Sequence, residues 1–446
     1  MKRSYYPEDR GLCSDVKQII MIRNIVFFLH AVLFFMLGCN RNAQKPTIQY
    51  SARNGIFILQ DRQDAGELNL LFVNANGEDT IRFQGLNRKD TIAIEGLECS
   101  TKYSCYYKYE NETRYSFLEA FDYHPSFCKE NFTFQQVKSV SPGVNYLIQD
   151  FKQGSIYRLG KHGHMIDELD SLPGFIRGFD KQDSLLVWCS DSSQLAIKNL
   201  QTLKKRYINF DSTIKVHHDL ILHYPYLAIL YNRKKYREFK SYKVIEEGII
   251  KMDLRTTDLE FWSIHDFLSD SILPLGNAKG SFVTAHGNSV DVDGEGNYYI
   301  SFRDFNQVWK VSSDLSKVHY RIGLNANSFK IDGDFFIGQH SVDIIGPDLF
   351  YLFDNGSTGG KVAKSRVVRV RVDPKAKIYQ VKNILSLPDS LSTIRMGSVH
   401  SLDNHLVVST FHEGLHILEI DTTGVVKNHL KNSRSHAIKV LPLPQH

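Results

Sequence analysis

Apolar and polar positions alternate in short runs along nearly all of this chain, and no run past residue 40 holds a helical period for long. From Ile48 to Val137 the runs read GIFILQ, ELNLLFVNA, DTIRFQGL, DTIAIEGL, KYSCYYKY and SFLEAF. From Gly143 onward they include NYLIQDF, SLLVWCS, YLAILYN, YYISFRD, LFYLFDNG and HLVVSTF. Asp-Gly, Asn-Gly and Gly-Asn pairs fall between them, where tight hairpins need them. The stretch 143–446 supplies about four strands in every ~50 residues, the spacing of a β-propeller with six blades. The pattern predicts an all-β protein, with a β-sandwich over 48–137 followed by a six-bladed propeller over 143–446.

Composition sharpens this. With 42% hydrophobic and 23% charged residues among 446, the chain is not intrinsically disordered. Its 28 Phe and 22 Tyr favour strands. A net charge of +5 is compatible with a small anionic substrate and too weak to argue for nucleic acid. The basic run from Arg233 to Arg237 reads as a solvated hairpin tip.

The exception to the strand pattern is residues 25–38, apolar throughout except for His30. Spanning a bilayer takes about 20 residues, so this run suits the apolar core of a signal peptide. It ends in Met36-Leu37-Gly38-Cys39, which resembles a bacterial lipobox with Cys39 as the lipidated residue. Met21 to Asn24 supplies a short positive lead, so residues 1–20 are expected to be a mis-assigned start, 21–38 the signal peptide and 39–47 a polar tether. The mature protein is then a periplasm-facing lipoprotein of the cell envelope, anchored to the membrane by lipid. Cys99, Cys105 and Cys128 share one region where a bridge could form, and Cys189 reads as a buried thiol.

Within 48–137, the segment from Ile94 to Tyr103 resembles the turn into the sixth strand of fibronectin type III domains, where a tyrosine hydroxyl bonds back to the chain. No convergent polar cluster accompanies it. Its expected role is spacer, packing face or homodimer contact.

Chemistry concentrates instead around recurring histidines. His218, His286, His340 and His400 each precede a strand-like run, at separations of 68, 54 and 60 residues, about one blade each. Equivalent positions of successive blades face one end of a propeller's channel, so residues far apart in sequence can converge there.

The stretch from His286 through Asn288 and Ser289 to Arg303 resembles the "H-x-N-S … S-x-R" segment of bacterial arylsulfate sulfotransferases. Gln339-His340-Ser341 with Phe353-Asp354-Asn355-Gly356 and Ser365-Arg366 is similar to that family's "QH … FDNG … SR" run, and His217-His218-Asp219 to its "HHD" segment. The resemblance implies nucleotide-independent transfer of a sulfuryl group from a phenolic sulfate donor to a phenol acceptor, with neither cofactor nor metal. It implies His340 as nucleophile, forming a sulfohistidine, with His286, Arg303 and one of His217 and His218 in support. His218 is favoured because it aligns with His340 in the internal repeat. Tyr and Phe side chains are expected to line an aryl pocket. Family members carry a disulfide before the nucleophile segment, whereas no cysteine lies between Arg303 and His340 here.

Other readings compete. A ligand-binding propeller lipoprotein without catalysis and a sulfate-ester hydrolase remain alternatives, and a metal-dependent lactonase would need Asp, Asn and Glu where histidine recurs. Gly356 to Val362 lacks the spacing of a phosphate loop, and 291–302 lacks the final Glu of a calcium loop.

Overall fold

The computed structural model describes most of residues 134–443, where the longest gap is 269–281, and before them chiefly the strands between Thr47 and Tyr123. The expected start, signal peptide, tether and lipidated Cys39 lie outside the described residues. No helix among the described residues is long and apolar enough to cross a membrane.

Ahead of the propeller are two antiparallel sheets. One pairs Thr47–Ser51, Ile56–Gln60 and Thr91–Ala93; the other pairs Thr80–Leu86, Leu68–Asn74, Thr101–Tyr109 and Ser116–Tyr123. These pairings make the segment all-β, but they do not establish the fibronectin-like sandwich expected for it. Most of the turn ahead of Tyr103 lies outside the described residues, as do Cys99 and Cys128. Cys105 is buried, and Cys189 is a free, buried thiol.

Six sheets follow, the blades of a six-bladed propeller, antiparallel apart from parallel edge pairings of Phe282–Val283 and Lys330–Gly333. The inner strands of blades 2 to 6 are Ile176–Gln182, Ile214–His223, Gly287–Val292, His340–Gly346 and Ser398–Leu402. Blade 1 takes its inner strand from the far end of the chain: Val440–Leu443 pairs with Asn145–Asp150. Conversely, Gln135–Ser139 adds an outermost strand to blade 6 by pairing with Val426–Asn432. The ring is thus closed at both edges by strands from opposite ends of the propeller sequence.

Its apolar core is divided into wedges between neighbouring blades. Leu147 and Ile156 of blade 1 meet Phe179 and Trp188 of blade 2, and Leu195 of blade 2 meets Leu220 and Leu227 of blade 3. Trp262 and Trp309 fill the wedge between blades 3 and 4, Tyr299 and Phe350 the next, and Phe353 and Val408 the one after. Tyr157 and Ile417 complete the circle. The central strands of the blades, such as Leu185–Ser190, Tyr298–Phe302 and Leu349–Asp354, bury both faces, which is why their text is nearly continuous in apolar residues.

Towards the axis the blades are joined by side-chain oxygens that accept backbone N–H groups from the next inner strand. Asp180 accepts from Leu222 at 2.7 Å, Asp219 from Val290 at 3.1 Å, and Ser289 from Val342 at 2.6 Å. Asp291 accepts from Ile344, Ser341 from Val399 and Asp343 from Ser401, at 2.7, 3.1 and 2.9 Å. These bonds lock the vertical register of neighbouring blades.

Two sequence readings change. The basic run is no hairpin tip; it lies within the strand Tyr226–Phe239, where Arg233 and Lys235 pair with the buried Glu246. The Gly356 loop forms a two-strand hairpin, Ser357–Thr358 with Lys361–Val362.

Gly397 marks the tightest inter-blade approach near the axis. It holds φ at +99°, and a Cβ there would stand 2.5 Å from the Phe353 ring. Gly397→Ala is expected to destabilise the propeller by about 2–4 kcal/mol through left-handed backbone and overpacking together. Urea unfolding measures this, with Gly294→Ala, whose Cβ meets nothing within 4 Å, as the tolerated control.

Candidate active site

Four inner strands break register at one level: between Ile176 and Gly178, Val216 and Leu220, Gly287 and Ser289, and His340 and Val342. His218, His286 and Ser341 there hold positive φ, near +55°. Such bulges re-aim side chains that a regular strand would bury between blades. The inter-blade bonds identify equivalent residues. Asp180, Asp291 and Asp343 share one level, and three positions before them stand Arg177, Asn288 and His340. His218 occupies that level in blade 3 and Gly397 in blade 6.

The expected site residues therefore meet at one end of the channel. The rings of His218 and His286 lie 4.9 Å apart, and the Nδ1 atoms of His217 and His218 are 2.8 Å apart, so one ring donates to the other. His218 and His340 line one small crevice with Asn288. His400 lines the same crevice, but from a different level. It sits on the level of Asp343, 3.6 Å from its carboxylate, further along the channel.

His340 is buried, and neither ring nitrogen has a hydrogen-bond partner among the described residues. Burial, then the charges of Arg303 and His286, push its pKa down to about 3. His217 is pushed to about 3 by burial and the nearby His286, and His218 well below the ordinary value by burial and the surrounding rings. At neutral pH these three imidazoles are uncharged, and the lone pair of His340 is not engaged by a neighbour among the described residues.

Arg303 follows the strand Tyr298–Phe302, and its backbone N–H donates to the His286 carbonyl at 3.0 Å. Its guanidinium reaches Asp304 at 3.2 Å and the Ile394 carbonyl at 3.1 Å, while its buried Nε has no partner among the described residues. Asp304 also accepts from Thr284 at 2.9 Å and lies 3.8 Å from His286 Nδ1. A proton arriving on His286 would meet a compensating carboxylate.

Several members of this group escaped the sequence reading. Asn288 donates to the Gln339 carbonyl at 2.8 Å, fixing the residue before His340, and leaves its buried Oδ1 without a partner among the described residues. Glu247 accepts the Gly287 N–H at 2.9 Å; burial and the nearby Asp304 push it up to about 7. Lys439, just ahead of the closing strand, is buried and donates to Asp219 at 3.0 Å and to the Leu220 carbonyl at 3.3 Å. Arg177 and Lys215 line a cavity of about 450 Å³ that reaches His217, His218 and His286. The expected aromatic lining is not found: among the described residues, neither cavity is lined by Tyr or Phe.

A family model described as arylsulfotransferase (ASST) matches residues 204–432, just over half of the chain. The chain belongs to the arylsulfotransferase family. The match takes in His218, His286, Arg303 and His340 and runs from the outer edge of blade 2 through blade 6. No curated protein matches the sequence. Among solved structures, a protein of unknown function from Bacteroides caccae is 9% identical with a TM-score of 0.45, covering 68% of this chain and 100% of its own. A virginiamycin B lyase from Staphylococcus aureus is 9% identical with a TM-score of 0.37, covering 91% and 98%. Likeness at that level assigns nothing further to this arylsulfotransferase.

No group of three or more His, Cys, Asp or Glu side chains with metal-binding geometry occurs among the described residues.

The depressed histidine pKa has a readable consequence. Between pH about 6.5 and 3 the unfolded chain protonates His340 while the folded one does not, so folding loses stability as pH falls through that window. Wild-type stability relative to His340→Gln should decline across it in urea-unfolding measurements. A difference that stays constant from pH 7 to 4 would mean that the His340 ring titrates normally.

Proposed function

We propose that this arylsulfotransferase moves a sulfuryl group between phenols by two displacements at His340, without a nucleotide donor. In the first, a His340 ring nitrogen attacks the sulfur of an aryl sulfate. The N–S bond forms, the S–O(aryl) bond breaks, and the phenolate takes the proton of an imidazolium at His286, beside the Asp304 carboxylate, leaving His286 neutral within the His286–His218 pair. In the second, the acceptor phenol returns its proton to that pair, its oxygen attacks sulfur, and the N–S bond breaks to restore neutral His340. Splitting the transfer lets donor and acceptor use one pocket in turn.

The observation that carries this reading is His340 itself: a buried, uncharged imidazole with both nitrogens unengaged among the described residues and Arg303 close enough to depress its pKa. A nucleophile needs the first property, and the charge developing on the sulfuryl oxygens needs the cation. Protonation would disable His340, and its surroundings oppose protonation.

The reading extends to the rest of the chain. The two sheets before the propeller are proposed to pack as a sandwich that spaces the catalytic ring from a lipid anchor at Cys39, on the periplasmic side of the envelope. A homodimer through that spacer fits the same arrangement.

The test mixes purified protein with an aryl sulfate whose phenol is coloured, with and without a second phenol. Colour release that depends on the acceptor, matched by sulfated acceptor, is the expected result. Release independent of acceptor would make the protein a hydrolase, and no release from folded protein would leave a binding propeller. His340→Ala should lower turnover by a factor on the order of 10⁴ or more. Arg303→Lys should lose on the order of 10- to 1,000-fold, because a point charge does not reproduce the planar fork.

A further inference from the structure

The large cavity presents two cations beside its histidine rings. Apart from the histidines, its described lining is Arg177, Lys215, Asn232, Glu247, Thr284 and Val216, of which Val216 alone is apolar. Small-molecule sites are usually dominated by apolar and aromatic side chains, with a few polar groups for orientation. Here most of the lining residues carry a polar or charged group at the end of the side chain.

The cations are not scattered. Arg177 is half-buried on the inner strand of blade 2, at the level that His218, Asn288 and His340 occupy in blades 3, 4 and 5. Blades 2 and 5 are three apart in a ring of six, so Arg177 and His340 stand on opposite sides of the channel. Lys215, on blade 3, is exposed at the cavity rim. The one carboxylate in this lining, Glu247, is engaged by the Gly287 N–H beneath His286. Gly178 permits the arrangement: a Cβ there would stand 3.0 Å from the Asp219 backbone, so the small residue after Arg177 lets blade 2 close on blade 3.

We propose that the phenols handled here carry an anionic substituent, such as a carboxylate, held by Arg177 across the channel from His340, with Lys215 assisting at the rim. The inference rests on the sulfuryl-transfer reading of the same site. The ring of such a substrate spans the channel, with sulfur at the His340–Arg303 end and the substituent at the Arg177 end. A guanidinium fork matches a carboxylate geometrically, and out of bulk water that pairing is strong. The exposed Lys215 contributes less because solvent and salt screen it.

The test compares 4-(sulfooxy)benzoate with its methyl ester as donors. The ester releases the better leaving group, so any preference for the acid runs against intrinsic reactivity. Wild type should favour the acid by roughly 10-fold or more in kcat/KM. Arg177→Gln should bring the ratio close to one, and Lys215→Gln should lower it less. A wild-type ratio at or below one, or an Arg177→Gln variant that loses both substrates equally, would overturn the proposal. Calorimetric binding of 4-hydroxybenzoate and methyl 4-hydroxybenzoate provides a readout independent of turnover. If neither sulfate ester reacts, the transfer reading fails by itself. Tighter binding of the acid that Arg177→Gln abolishes would still uphold the anion site, and equal or absent binding would overturn it.

Discussion

The propeller depends on a short vocabulary of side-chain oxygens facing its axis. A blade alone is a four- or five-stranded sheet with two apolar faces, and the wedges of core between blades draw neighbours together without fixing their height. The oxygens of Asp180, Asp219, Ser289, Asp291, Ser341 and Asp343 fix it, each accepting a backbone N–H from the next inner strand. Each such bond contributes only about 1 kcal/mol net, yet a buried N–H left without a partner costs about 1–3 kcal/mol. A slip by one residue would break them and turn the side chains of the slipped strand to the wrong face. Site geometry is inherited from this register: Arg177, His218, Asn288 and His340 come to one level because the oxygens near them do.

Burying so many carboxyl groups in one channel creates an electrostatic problem that Lys439 helps to solve. Asp291 is pushed up to about 8 by burial and by Asp343, and Asp180 is raised by burial. Lys439 is held charged by Asp219, Asp180 and Asp291 against the opposing effect of its own burial. It precedes the strand that closes the ring, and it bonds the very residue that follows His218. Ring closure and the shape of the His217–Asp219 bulge therefore share one ion pair. Truncating either partner would leave a buried charge uncompensated.

Blade number and most strands are legible in the sequence because a propeller writes its period into alternating runs and turn pairs. The repeat that carries the ladder is also visible, as Asn288-Ser-Val-Asp291 and His340-Ser-Val-Asp343. His286 belongs to the group although it stands two residues before the level of His340, because the bulge at Gly287 turns the strand. His400 looked equivalent and is not; it occupies the level of the aspartates. Arg177 went unread because blade 2 lacks a histidine at that place. Its signal was available in the spacing, since Arg177 precedes Asp180 by the same three positions that separate His340 from Asp343. Lys439 left no local signal, because its partners lie over 200 residues away. Aromatic abundance misled: many of the propeller's buried Tyr and Phe residues fill the wedges between blades, and none lines either cavity among the described residues.

The charge arrangement of the site also bears on when its histidines hold protons. In the free protein, burial and neighbouring cations keep His217, His218 and His340 neutral, with Arg177 and Arg303 among the opposing charges. An aryl sulfate entering the cavity brings the negative charge that these imidazoles lack. By the same Coulombic logic it favours the protonated form of whichever ring it approaches without bonding. His286 has the Asp304 carboxylate 3.8 Å away to compensate such a proton. His340 is the ring closest to Arg303 in effect, and it remains the poorest place for a proton. On the proposed mechanism, one anion would thereby sort the imidazoles into a proton carrier and a nucleophile.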